Sequence, residues 1–164
     1  MQGDLFMEPH AMGNEFKFPE VSMCISTKFA LEDKGKLSKL QAPDPTKGGR
    51  MPHYLEVIAE SKKIITDSIV SGVLAGPWTI PIGLRWASEL LRDAMKDPDY
   101  VRELMEFCTQ ISIRFGEALY PLKAGLSYSE APASCSLISP RIYRSFVFPY
   151  HKQIVDHFKE KRWA

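Results

Sequence analysis

Cysteine is scarce in this sequence and histidine nearly so: three of the first and four of the second among 164 residues. Cys24, Cys108 and Cys135 are odd in number and far apart, so they do not read as a disulfide framework, and a reducing cytoplasm suits them best. None stands at zinc-ligand spacing from another cysteine or a histidine. Of His10, His53, His151 and His157, only the last two fall on one predicted element, and at six residues apart they do not face one site on a helix. No zinc-protease helix motif, phosphate-binding glycine loop or nucleophile elbow occurs. A dominant charge is missing too. The net charge of +1 gives no electrostatic case for nucleic acid or an anionic membrane. No apolar run approaches the ~20 residues a spanning helix needs. Asp4 and Glu8, without a basic stretch, do not read as a signal peptide. There is no internal repeat and no low-complexity segment.

What is present is an ordinary soluble composition, 45% hydrophobic and 25% charged, with the length of a single domain. Phe6 and Met7 read as the end of a strand. Glu15 to Phe18 and Val21 to Ile25 read as two short strands, a hairpin turning at Pro19 and Glu20. Residues 34–50 form a surface loop, rich in glycine and proline after Ala42. The spacing then predicts a helix over 52–67, with Leu55, Ile58 and Ala59 on one face, and a buried strand over 69–74. A helix follows over 79–95, its first turn weakened by Pro81 and Gly83.

Asp97-Pro98 is a helix start, a capping side chain followed by proline at the first helical position. Val101, Leu104, Met105, Cys108, Ile111, Phe115 and Leu119 make the apolar stripe of that helix. A strand near 126 precedes a second such start at Ser139-Pro140. The helix from there to about Lys161 should kink at Pro149. Alternating strands and helices imply an α/β fold with parallel strands joined by crossover helices. About three units are present. A closed (β/α)8 barrel needs roughly 250 residues, so this chain is expected to be part of a barrel, too short to close one.

Three stretches carry candidate chemistry. Asp4 and Glu8 are paired carboxylates beside the first predicted strand end. Such groups can donate protons or stabilise charge. Gly76-Pro77-Trp78-Thr79 is a tight turn after a buried strand, whose indole either packs or, if exposed, stacks on a flat ligand. Ser127, Ser129, Glu130, Ser134 and Cys135 lie at the carboxyl end of the strand near 126, the edge where α/β proteins usually place chemistry.

Taken in order, these stretches resemble the uroporphyrinogen decarboxylase superfamily, which also holds the methylcobamide-dependent methyltransferases. Asp4-Leu5-Phe6-Met7-Glu8-Pro9-His10-Ala11-Met12-Gly13 is similar to the segment that opens with the family's key aspartate. Leu40 to Pro45 with Gly49-Arg50-Met51-Pro52 resembles the following loop and helix start. Gly76 to Thr79 resembles its Gly-x-Pro-Trp/Phe-Thr turn, and Ser134 to Tyr150 its Leu-Ile-Ser-Pro helix with the Pro-Tyr pair. The resemblance spans nearly all of residues 1–164.

It implies a (β/α)8 barrel of which this chain is an interior piece. A decarboxylase would use Asp4 on the substrate pyrroles. Where decarboxylases carry a tyrosine after the Pro-Trp-Thr turn this sequence has Gly83, and where they carry a serine after the strand near 126 it has Ala131. Glu8 also looks more like the methyltransferases. The resemblance therefore favours part of a corrinoid-dependent methyltransferase, with a uroporphyrinogen decarboxylase of porphyrin and heme biosynthesis as the alternative and a non-catalytic barrel remnant as a third reading. It implies Asp4 as catalytic residue, and Glu8, Trp78, Thr79 and Glu130 at a tetrapyrrole-binding barrel mouth, Trp78 facing the corrin ring. Zinc and a corrinoid belong to the full-length methyltransferase, whose zinc-binding His-x-Cys is not in this sequence. No metal site is expected within the chain, which by itself should be inactive. The implied partner is a tetrapyrrole or a corrinoid protein, with self-association through open barrel edges.

Overall fold

The computed structural model describes residues 6–21 and 24–161. Its chain order is α1 (Met7–Ala11), β1 (Glu15–Lys17), β2 (Ile25–Lys28), a 3-10 turn (Lys34–Lys39), α2 (Met51–Ile64), β3 (Ser71–Ala75), α3 (Thr79–Leu84), α4 (Ala87–Lys96), α5 (Pro98–Leu119), β4 (Gly125–Ser129), α6 (Pro140–Ile142), a π turn (Tyr143–Val147) and α7 (Phe148–Glu160). Among the described residues β1 pairs antiparallel with β2, and β3 pairs parallel with β4. The crossover from β3 to β4 runs through three helices, as parallel pairing requires.

α5 holds this unit together. Asp97 caps it by accepting from the Tyr100 N–H, and Pro98 occupies its first turn. All seven residues of the predicted stripe are buried. Val101 to Ile111 pack with α3, α4 and the π turn, whereas Phe115 and Leu119 pack with α2, β3 and α7. Each such side chain contributes about 1.5–3 kcal/mol through burial. The Ser112 hydroxyl lies 2.8 Å from the Ala75 carbonyl and ties α5 to the end of β3.

Several expectations change. Met7 begins a helix, not the end of a strand; α1 packs on α3 and α2. The second hairpin strand begins at Ile25, and Val21 is exposed. The apolar face of α2 centres on Met51, Tyr54 and Ile58. The helix expected over 79–95 breaks in two because Arg85 is extended. That conformation buries its guanidinium against Asp93 (2.7 Å) and the carbonyls of Leu31 (2.7 Å) and Glu32 (3.1 Å). The kink expected at Pro149 is a π turn just before it. Proline has no N–H to continue the α ladder, and the Phe148 N–H instead reaches back five residues to the Tyr143 carbonyl.

The two faces of the sheet differ. A Cβ on Gly72 would stand 2.5 Å from Leu119 of α5, so Gly72, Leu74 and Gly76 face the helices. In register with them, Leu126 and Tyr128 share that side. Ser71, Val73, Ser127 and Ser129 lie on the other face, half-buried or exposed.

Candidate functional site at the strand ends

The polar groups gather where β3 and β4 end. Gly76 extends the ladder by donating to the Ser129 carbonyl at 2.9 Å. A Cβ here would stand 1.9 Å from Glu130 Oε2, so only glycine lets the carboxylate reach the turn. Glu130 Oε2 accepts from the Trp78 N–H (3.0 Å) and the Tyr128 hydroxyl (3.3 Å), and lies 3.1 Å from His151 Nε2 of α7. Oε1 accepts from the Thr79 hydroxyl. Four donors match the roughly four lone-pair sites of a carboxylate. Glu130 is thus an anchor joining the β3–α3 turn, β4 and α7, with its side chain 7% exposed.

His151 stands edge-on between two tyrosines, its ring centre 5.1 Å from that of Tyr128 and 5.8 Å from that of Tyr143. Its Nδ1 lies 3.4 Å from the Tyr143 hydroxyl. The π turn contributes here: one inserted residue rotates every later side chain by about 100°. Burial, then the Glu130 charge and hydrogen bond, push the Tyr128 phenol far above its ordinary range, so it stays a donor. The Cys108 thiol is also pushed up, first by burial and then by the charges of Glu130 and Glu8. It is a protonated core group, not a nucleophile.

Of the residues singled out from sequence, Thr79 and Glu130 meet directly. Glu8 is 1% exposed in α1, and its charge is felt at Tyr54 and, with that of Glu130, at Cys108. Asp4 lies outside the described residues. Trp78 corrects an expectation. Its indole is fully buried in the main core, with Leu31, Leu84 and Leu104, and offers no face to a corrin ring. Its backbone N–H, not its ring, serves the site. The contacts of Glu130 with Tyr128 and His151 are on the helix-facing side of the sheet. Sequence reasoning missed Tyr128, Tyr143 and His151. The i, i+2 spacing of Tyr128 and Glu130 does signal a shared strand face. Nothing local signals the histidine 21 residues on.

Zinc does not fit here. Among the described residues no three histidine, cysteine or acidic side chains could hold a metal ion.

The uroporphyrinogen decarboxylase (URO-D) family profile matches residues 1–163. The chain belongs to that family. Over 108 residues it is 27% identical to a methylated-thiol–coenzyme M methyltransferase of Methanosarcina mazei, an alignment covering 65% of this chain and 29% of the relative. A solved methyltransferase from Methanosarcina mazei superposes with a TM-score of 0.85 at 22% identity, over 95% of this chain and 47% of that one. The chain therefore spans less than half the length of these relatives. Its fold is part of a (β/α)8 barrel, as the alternation of strands and helices implied. Within the family, both of these relatives are methyltransferases. Among the described residues no helix is long and apolar enough to cross a membrane.

Proposed function

We propose that this chain forms one side of the mouth of a corrinoid-linked methyltransferase. A corrinoid at that mouth would supply the methyl group: a sulfur–carbon bond would form as the cobalt–carbon bond broke, with the bonding pair left on the corrinoid and the thiol proton released. The observation that supports this over decarboxylation is at Gly83. A Cβ there would stand 2.6 Å from Pro9 of α1. The space for a tyrosine side chain is already filled by the packing of α1 on α3. A hydroxyl that would grip a polycarboxylate tetrapyrrole from this position has no room. The name borne by the 27% identical relative points the same way.

In this reading Asp4 keeps the catalytic role that the resemblance implies, and Glu8, buried in α1, acts through its charge. Thr79, Glu130 and His151 are positioning residues that hold three strand–helix units in one arrangement. The test is reconstitution. The chain is co-expressed with the part of the Methanosarcina mazei methyltransferase that it does not span, then given methylcobalamin and 2-mercaptoethanesulfonate. Loss of the methylcobalamin absorbance with appearance of the methylated thiol is expected. A folded assembly that leaves methylcobalamin intact but releases carbon dioxide from uroporphyrinogen would remove the assignment.

A further inference from the structure

A cavity of about 220 Å³ lies among the helices, between the α4–α5 corner and the segment running from α6 into the π turn. No strand residue and no member of the Glu130 network lines it, so it is neither an open sheet edge nor part of the strand-end site. Ala94, Ile142 and Phe146 give it an apolar floor. Arg102, Arg141 and Ser145 also line it, and no carboxylate does. The fold positions each of these three. Ser139 caps α6 by accepting from the Ile142 N–H (3.3 Å), which fixes the turn that carries Arg141. Arg141 and Ser145, four residues apart, share a helix face. Arg102 arrives from α5, its guanidinium carbon 5.5 Å from the centre of the Phe146 ring. The Tyr150 hydroxyl donates to the Arg102 carbonyl (3.2 Å) and holds α5 against α7. Asp99 accepts from Arg102 Nη1 at 2.7 Å, but its side chain is 93% exposed, so it competes weakly for that charge.

We propose that this cavity binds a small phosphate monoester whose ester group is short and apolar. Two guanidiniums with no lining carboxylate call for a dianion. A carboxylate has two oxygens and is satisfied by one guanidinium fork. A phosphate monoester has three terminal oxygens, which can meet both forks and the Ser145 hydroxyl together. The floor of Ala94, Ile142 and Phe146 offers no side-chain hydrogen bond and favours an apolar substituent on the phosphate. The volume equals that of about seven water molecules, which suits a small molecule and leaves no room for a nucleotide or a polypeptide segment.

Occupancy of this cavity is independent of the methyl-transfer reading. The test is calorimetric titration of the whole chain with phenyl phosphate, and with inorganic phosphate, benzoate and phenol as comparisons. Phenyl phosphate should bind saturably at one site per chain, and each comparison should bind about tenfold more weakly or not at all. Arg141→Gln, an exposed change, should weaken phenyl phosphate by about tenfold or more, the equivalent of one charge-assisted hydrogen bond, with thermal unfolding unchanged. Arg102→Lys keeps the charge but not the fork and should weaken it as well. Absence of saturable binding would overturn the proposal, and so would undiminished binding by folded Arg141→Gln. Equal affinity for inorganic phosphate would remove the apolar floor from the site and equally overturn it. Tighter binding of a phosphotyrosine peptide than of phenyl phosphate would assign the cavity to a protein partner, against the proposal.

Discussion

Glu130 gathers donors from three segments far apart in the chain, so its replacement is felt at each of them. Glu130→Ala strands the Trp78 N–H and the Thr79 hydroxyl without their acceptor, at a cost of about 2–4 kcal/mol in urea unfolding. Gly76→Ala should approach that loss although it removes no contact, because the new methyl displaces the carboxylate. If Gly76→Ala proves neutral, the closeness of turn and carboxylate is not what fixes the site. Tyr128 gives a pH signature. Its folded pKa is raised, so the unfolded chain releases this proton first as pH rises. The stability it contributes is complete below about pH 10 and falls above it. Tyr54, Tyr100 and Tyr150 are raised as well, so spectrophotometric titration should find several tyrosines that ionise late, and Tyr128→Phe should lessen the alkaline loss of stability.

Among the elements, α5 and the α3–α4 break teach opposite lessons. The Asp97-Pro98 cap and the apolar stripe of α5 are local signals, and the structure keeps both. Phe115→Ala, emptying a site with no exposure, should cost about 3–5 kcal/mol. The break at Arg85 has no local signal, for Arg85 and Trp86 are tolerable helix residues. It exists because a buried guanidinium serves Asp93 and two carbonyls of the segment after the hairpin. Arg85→Lys cannot reproduce that fork. It should cost about 2–4 kcal/mol and loosen residues 29–32, seen as faster amide exchange there. Unchanged exchange would mean that the Leu31 N–H bond to Leu84 suffices by itself.

For the whole molecule, the described part is a segment of a barrel wall, with helices on one side and a half-covered serine-bearing face on the other. Nothing in its described residues assembles a metal centre. Purified protein should hold well below one zinc per chain after dialysis, as read by elemental analysis. One tightly held zinc per chain would mean that residues outside the described ones complete a site.

The sequence by itself determined the alternation of strands and helices and α5 with its cap and apolar stripe, through helical periodicity and capping residues, which act over a few residues and are legible in one chain. The resemblance of its motifs, not their periodicity, pointed to the family. Only the tertiary structure decided that Met7 starts a helix, that Trp78 is a core side chain lending its backbone to the site, and that His151 is the partner of Glu130. Each depends on what arrives from a distant segment: α1 seating on α3, the main core closing over the indole, and His151 of α7 meeting Glu130 beyond the end of β4. Burial and long-range hydrogen bonds are properties of meeting surfaces, and no local window of sequence contains both sides of such a meeting.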